Sequence, residues 1–184
     1  MSEPPSPVRP AGTGTGAVVA ASDDQNDHPI DTGRWAHLAE TVLANQGITT
    51  GELTLTFVDE PTIAELNATH MGVNGPTDVL SFPLDVADAR TGDPDRSPVP
   101  GLPILIGDVV ICPAVAVANA PARLGDEPHP GHPTHTGTLD DELALLVVHG
   151  VLHICGHDHA EPDQADTMWA TEREILAGGQ ESSS

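Results

Sequence analysis

The chain has 184 residues, enough for one domain with a proper core, since single domains usually run to ~100–200 residues. Its 28 acidic residues outnumber 6 basic ones, all arginine (Arg9, Arg34, Arg90, Arg96, Arg123, Arg173), for a formal charge of −22. Such a field repels a bare polyanion at long range, which argues against a free-standing nucleic-acid binder and leaves any such binding to local contacts, a metal or a basic partner.

Residues 1–15 are rich in Pro, Gly, Ser and Thr, offer nothing apolar to bury, and are expected to form a disordered tail. The domain is expected over 16–178, with loops at about 85–102 and 124–137 and a short disordered tail at 179–184. A strand should open it at 17–21. From Asp31, Trp35, Leu38, Ala39, Val42 and Leu43 recur at helical spacing, with Gly47 as the stop. Leu53, Leu55 and Phe57 alternate with threonines and predict a half-buried strand. A short helix follows, with Pro61 in its first turn, Thr62 and Glu65 at capping-box spacing, and Gly72 at its end. The strand at 79–82 is closed by Pro83, which favours a sheet edge. A β-branched run at 104–111 is interrupted at Gly107, the mark of a bulge or close approach. An alanine-rich helix starts at Pro113. The histidines of the next loop, His129, His132 and His135, lack a rigid scaffold and are expected in solvent.

Two cysteines, Cys112 and Cys155, lie in apolar sequence and suit a reduced compartment. No apolar run approaches the ~20 residues of a membrane span, and the short segment 16–22 falls short of an export signal.

The helix from Thr138 is apolar almost all the way round, so it should be buried. It carries His149 and His153, four apart and therefore stacked about one turn, ~6 Å, from each other on one face. Gly156 stands where a left-handed cap would reverse the chain and return His159 to the same point. Three neutral imidazoles facing one point leave a fourth tetrahedral position open, the arrangement of catalytic zinc. His157 should point elsewhere, and Asp158 either orients a ligand imidazole or caps the turn.

The stretch HGVLHICGHDH, 149–159, resembles the HGxLHLxGxDH signature of the YbeY family of zinc-dependent endoribonucleases. GPTDVLSFP (75–83), IGDVVICP (106–113), DDELALLVVHG (140–150) and MWATEREIL (168–176) reinforce the resemblance in family order. It implies an α+β fold: a single domain with a small mixed sheet packed by helices and a buried central helix carrying the zinc histidines. It implies one Zn2+ per chain, held by His149, His153 and His159. The implied activity is that of a cytoplasmic single-strand-specific endoribonuclease in 16S rRNA 3′-end maturation and ribosome quality control. The implied partners are ribosomal RNA and the small ribosomal subunit with its basic proteins; membrane and DNA are not expected. Where family members carry a Tyr-Arg-Gly sequence used in RNA work, this chain reads His70, Met71, Gly72. Phosphate contact by that cation is therefore lost, or taken over by His70 when protonated or by another arginine such as Arg123.

In this reading zinc-bound water serves as nucleophile, or zinc polarises a phosphoryl oxygen while a 2′-hydroxyl attacks, and no protein base is assigned. Asp78, Ser81 and Asp108 are further candidates to line the cleft. Two rivals remain. A small metallopeptidase would share the histidine spacing, but Gly150 stands where the glutamate of an HExxH enzyme would be. A non-catalytic, zinc-stabilised ribosome assembly factor would use the acidic surface to dock on basic proteins.

Overall fold

Leu53, Leu55 and Phe57 alternate with polar residues along strand β2 (Glu52–Phe57), and all three are fully buried. That alternation sets one apolar sheet face. The computed structural model describes residues 16–125 and 127–181. The expected tail at 1–15 and residues 182–184 lie outside the described residues.

Strands β1 (Val18–Asp23), β2, β3 (Val79–Pro83) and β4 (Leu105–Ile111) form one sheet in the order β1-β2-β4-β3. The first three in that order run parallel and β3 pairs antiparallel with β4. Pro83 thus lies on an edge strand, as its missing N–H requires. The register between β2 and β4 jumps from Glu52↔Leu105 to Leu53↔Gly107, the expected irregularity. A Cβ at 107 would lie 2.7 Å from the Phe82 carbonyl oxygen and 2.9 Å from Ile154 Cδ1. Glycine here lets the sheet approach the helix beneath it.

That helix is α5 (Leu139–Ile154), with α1 (Thr32–Asn45) and α6 (Pro162–Glu181) beside it. Leu143, Val147, Val148, Val151, Leu152 and Ile154 of α5 join Leu53, Leu55, Phe57, Val109 and Ile111 in the main core. Thr138 caps α5 by accepting the Asp141 amide at 3.2 Å, as the sequence predicts. A smaller cluster, Val58, Ile63, Leu80, Val110 and Cys112, forms on the other sheet face beneath α2 (Glu60–Met71). The fold is α+β, a single domain with a small mixed sheet packed by helices around a buried central helix.

Local expectations need correction. The cap of α2 is Asp59, whose Oδ1 accepts the Thr62 amide at 3.0 Å, because the helix starts one turn before the anticipated box. The segment 85–102 contains helix α3 (Val86–Ala89) and a 3₁₀ turn at Pro94–Arg96, too short to show periodicity. Helix α4 (Pro113–Asn119) follows β4 as expected, and α6 continues through 179–181, where a tail was anticipated. Among the described residues no helix is long and apolar enough to cross a membrane.

Candidate metal centre

On α5 the rings of His149 and His153 lie 4.6 Å apart between centroids, and their Nε2 atoms are 3.1 Å apart. Gly156 then takes φ 96, a left-handed conformation open to glycine at no steric cost. The Gly156 amide donates to the His153 carbonyl and the His157 amide to the Leu152 carbonyl, each at 3.0 Å. This closed turn brings the His159 ring to 5.0 Å from His153 and 5.5 Å from His149. One nitrogen of each of the three imidazoles lies within 4.8 Å of the others. Three convergent imidazole nitrogens, with one flank half-exposed, are a donor set that fits a borderline divalent ion. Burial, followed by His149 and His159, pushes the His153 imidazole below its ordinary value, which favours the neutral, ligating form.

The surroundings hold this set in place. The carboxyl group that meets a triad imidazole is that of Glu172 on α6, whose Oε1 is 2.7 Å from His149 Nδ1. Arg90 donates to the Cys155 carbonyl at 2.6 Å and the Gln46 carbonyl at 3.1 Å, tying the C-terminal ends of α5 and α1 together. His157 turns away to Gln46 Oε1, 2.7 Å from its Nε2. Sequence reasoning missed Glu172, Arg90 and Gln46. Glu172 left a trace: it falls in the stripe Met168, Glu172, Ile175, Leu176, an acid on an apolar helix face. Arg90, in a segment without periodicity, left none.

Asp158 takes the capping alternative: its Oδ1 accepts the His159 amide at 2.7 Å and stays 3.9 Å from His159 Nδ1. Ser81 donates to the Gly150 carbonyl at 2.9 Å, joining the β3 edge to α5 beside His149. Asp78 accepts the Val79 amide at 2.8 Å and Asn119 Nδ2 at 3.4 Å, which organises the entry to β3. Asp108 pairs with Phe82, whereas Val109 and Ser81 face Gly150; strand alternation therefore puts Asp108 on the sheet face away from α5, not in the cleft expected for it. His70 lies edge-on to Phe82, 5.1 Å between centroids, on that same α2 side. Neither joins the histidine cluster.

Arg123 is engaged by a buried partner: its Nε and Nη2 donate to Glu142 at 3.1 and 2.8 Å, and that bond holds the guanidinium above its usual pKa. The second histidine loop also departs from expectation. His132 and His135 are buried, and His135 Nε2 is 2.9 Å from Glu142 Oε2, so the polar tie, not solvent, organises this segment. Cys112 and Cys155 are free and buried, and burial pushes the Cys155 thiol up to about 11.

Residues 20–179 match the profile of the endoribonuclease YbeY family. The chain belongs to that family. The Endoribonuclease YbeY of Thermobifida fusca is 42% identical over 151 residues, 82% of this chain and 86% of the relative. That of Nocardioides sp. is 41% identical over 155 residues, 84% and 93% of the respective chains. A Thermotoga maritima protein solved in solution has the same fold, with a TM-score of 0.52 at 21% identity over 90% of this chain and 93% of that one. As a YbeY-family chain this protein is an enzyme of the endoribonuclease class. Within that frame Gly150 needs no catalytic reading: a Cβ there would sit 2.8 Å from Val109 Cγ1 and 3.2 Å from Val79 Cγ2. It is a point of close approach between α5 and the sheet.

Proposed function

We propose that residues 16–178 form a zinc-dependent, single-strand-specific endoribonuclease acting in 16S rRNA 3′-end maturation and ribosome quality control. It works in the cytoplasm, beside the small ribosomal subunit and its basic proteins, with His149, His153 and His159 holding one Zn2+. The observation that carries the reading is the convergence of the three imidazole nitrogens within 4.8 Å on a chain of the YbeY family. When bound, zinc supplies a Lewis acid able to bring the pKa of water to ~7 and to polarise a phosphoryl oxygen.

The chain's own contribution is placement. His149 turns Nε2 toward the cluster and Nδ1 toward Glu172. Burial lowers the pKa of the His153 imidazole, which favours its neutral form. The closed turn at Gly156 aims His159 back across the opening. No protein base is assigned, and Gly150 has no room for the glutamate of a peptidase.

The assembly-factor reading keeps one observation in its favour. Among the described residues Arg34, Arg90, Arg96, Arg123 and Arg173 each hydrogen-bond to an acid or a carbonyl of the chain itself, so RNA meets few unengaged cations. One comparison separates the readings. The wild type and His153→Ala are loaded with zinc and incubated with single-stranded RNA, structured RNA and casein while bound metal is measured. The expected result is one zinc and cleavage of single-stranded RNA by the wild type, with both lost in the variant. RNA cleavage surviving equally in the variant overturns the nuclease reading. Casein cleavage would support a peptidase, and zinc without turnover the assembly factor.

A further inference from the structure

The Glu172 side chain is fully buried, and Oε2 has no hydrogen-bond partner among the described residues. An acid in this position is costly, since a buried carboxylate lacking full pairing gives up much of its hydration. An apolar residue would extend the stripe of Met168, Ile175 and Leu176 at no such cost. The polar contact that Glu172 does make is with His149, at 2.7 Å through Nδ1. The opposite ring nitrogen, Nε2, is the atom that faces His153 at 3.1 Å.

Space around the carboxyl group is fixed from behind. Gly131 packs so closely that a Cβ there would overlap Glu172 Oε2 and lie 2.8 Å from Cδ. The loop carrying Gly131 is held by Arg173, which donates to the Pro130 carbonyl at 2.6 Å, and by the His129 ring, which accepts the Gly131 amide at 3.1 Å. Farther along, His135 is tied to Glu142 at 2.9 Å, and Glu142 to Arg123. The loop therefore acts as a backstop that leaves Glu172 one way to point.

We propose that Glu172, held against Gly131, is a positioning residue for the metal centre: it fixes the Nδ1–H tautomer and orientation of His149 so that Nε2 is the ligating atom. This rests on the reading of His149, His153 and His159 as metal ligands. Glu172 touches neither substrate nor metal; it acts through the imidazole. The proposal accounts for a buried acid that packing does not need.

The test uses the full chain as wild type, Glu172→Gln, Glu172→Ala, Gly131→Ala and His149→Ala. Zinc affinity is measured by competition with a chromophoric chelator, the His149 tautomer by nitrogen-15 NMR of the metal-free protein, and apo stability by thermal melting. Zinc affinity is expected to fall about 10–100-fold in Glu172→Ala, the usual loss for a group that orients a ligand. Glu172→Gln keeps the acceptor but not the charge, so it should retain the Nδ1–H tautomer, bind zinc with intermediate affinity and melt no lower than wild type without metal. Gly131→Ala should weaken zinc binding by displacing the carboxyl group. A purely packing role would instead lower the apo melting temperature of Glu172→Gln and leave its zinc affinity unchanged, which overturns the proposal. So would an Nε2–H tautomer in the wild type. If wild type and His149→Ala bind zinc equally poorly, the failure belongs to the metal reading and not to Glu172.

Discussion

Gly150 is the residue at which the motif departs from an HExxH peptidase, and packing accounts for it. With Val109 Cγ1 at 2.8 Å and Ser81 Oγ at 3.3 Å from the position a Cβ would take, Gly150→Ala pushes α5 off the sheet. Overpacking of this kind costs about 1–3 kcal/mol, and a lowered melting temperature together with weaker zinc retention is the expected outcome. An unchanged melt would refute the close-packing account. His132 gives a second residue-level expectation. Burial, and then His135, lowers its pKa from 6.5, against the opposing pull of Asp141, Glu142 and Glu172. The unfolded chain therefore takes up the proton first as pH falls through ~6.5, so this contribution to stability is present above that value and lost below it, by at most ~1.4 kcal/mol per pH unit. Urea unfolding across about pH 5–8, where histidine titrates, should show stability falling toward acid, with a shallower slope in His132→Gln. An identical slope in the variant would remove His132 from the account. The convergence of His149, His153 and His159 was legible in the sequence because i, i+4 and a glycine turn are local geometry. The burial of His132 and His135 was not, because it rests on tertiary contacts of a segment without periodicity: His135 with Glu142, His132 beside Asp141, and Gly131 against Glu172 of α6.

Elements were readable wherever periodicity ran for more than a turn or two: β2 by alternation, α5 by its unbroken apolar surface, β3 as an edge through Pro83. The sheet order was not, since pairing β2 with β4 and leaving β3 outside depends on long-range contacts that no local pattern encodes. The same limit hid Arg90, which lies in a segment of short turns yet bridges two helix ends. Cationic donors at helix C-termini satisfy orphan carbonyls and complement the dipole. Hydrogen bonds from a charged group contribute about 1.5–3 kcal/mol. Arg90→Ala should therefore destabilise the chain by roughly that amount or somewhat less, because part of the side chain meets solvent. It should also loosen the turn after Cys155, seen as faster amide exchange at Gly156 and His157 and weaker zinc binding. If exchange at those amides stays as in the wild type, Arg90 does not hold the turn.

At the scale of the molecule, a charge of −22 and an RNA substrate pull in opposite directions. A nuclease that grips phosphates with free cations loses affinity as salt rises, with a log–log slope of about −0.7 per phosphate for single strands. In this chain Met71, 47% exposed, stands where the family resemblance places an arginine, and the described arginines are engaged internally. What salt screens here is mainly repulsion, acting over a Debye length of about 10 Å at 0.1 M. Cleavage of a short single-stranded RNA should consequently hold or rise between about 50 and 200 mM salt, the range over which cationic binders weaken. Met71→Arg supplies the internal comparison: it adds one cation at the end of α2 without entering the core, so its rate should exceed that of the wild type at low salt and converge on it as salt rises. A steep fall for the wild type itself would mean that a phosphate-binding surface exists within the chain. A flat or rising profile leaves the missing attraction to local contacts, the metal or a basic partner, and acceleration of wild-type cleavage by added small-subunit proteins, larger than for Met71→Arg, would single out the partner.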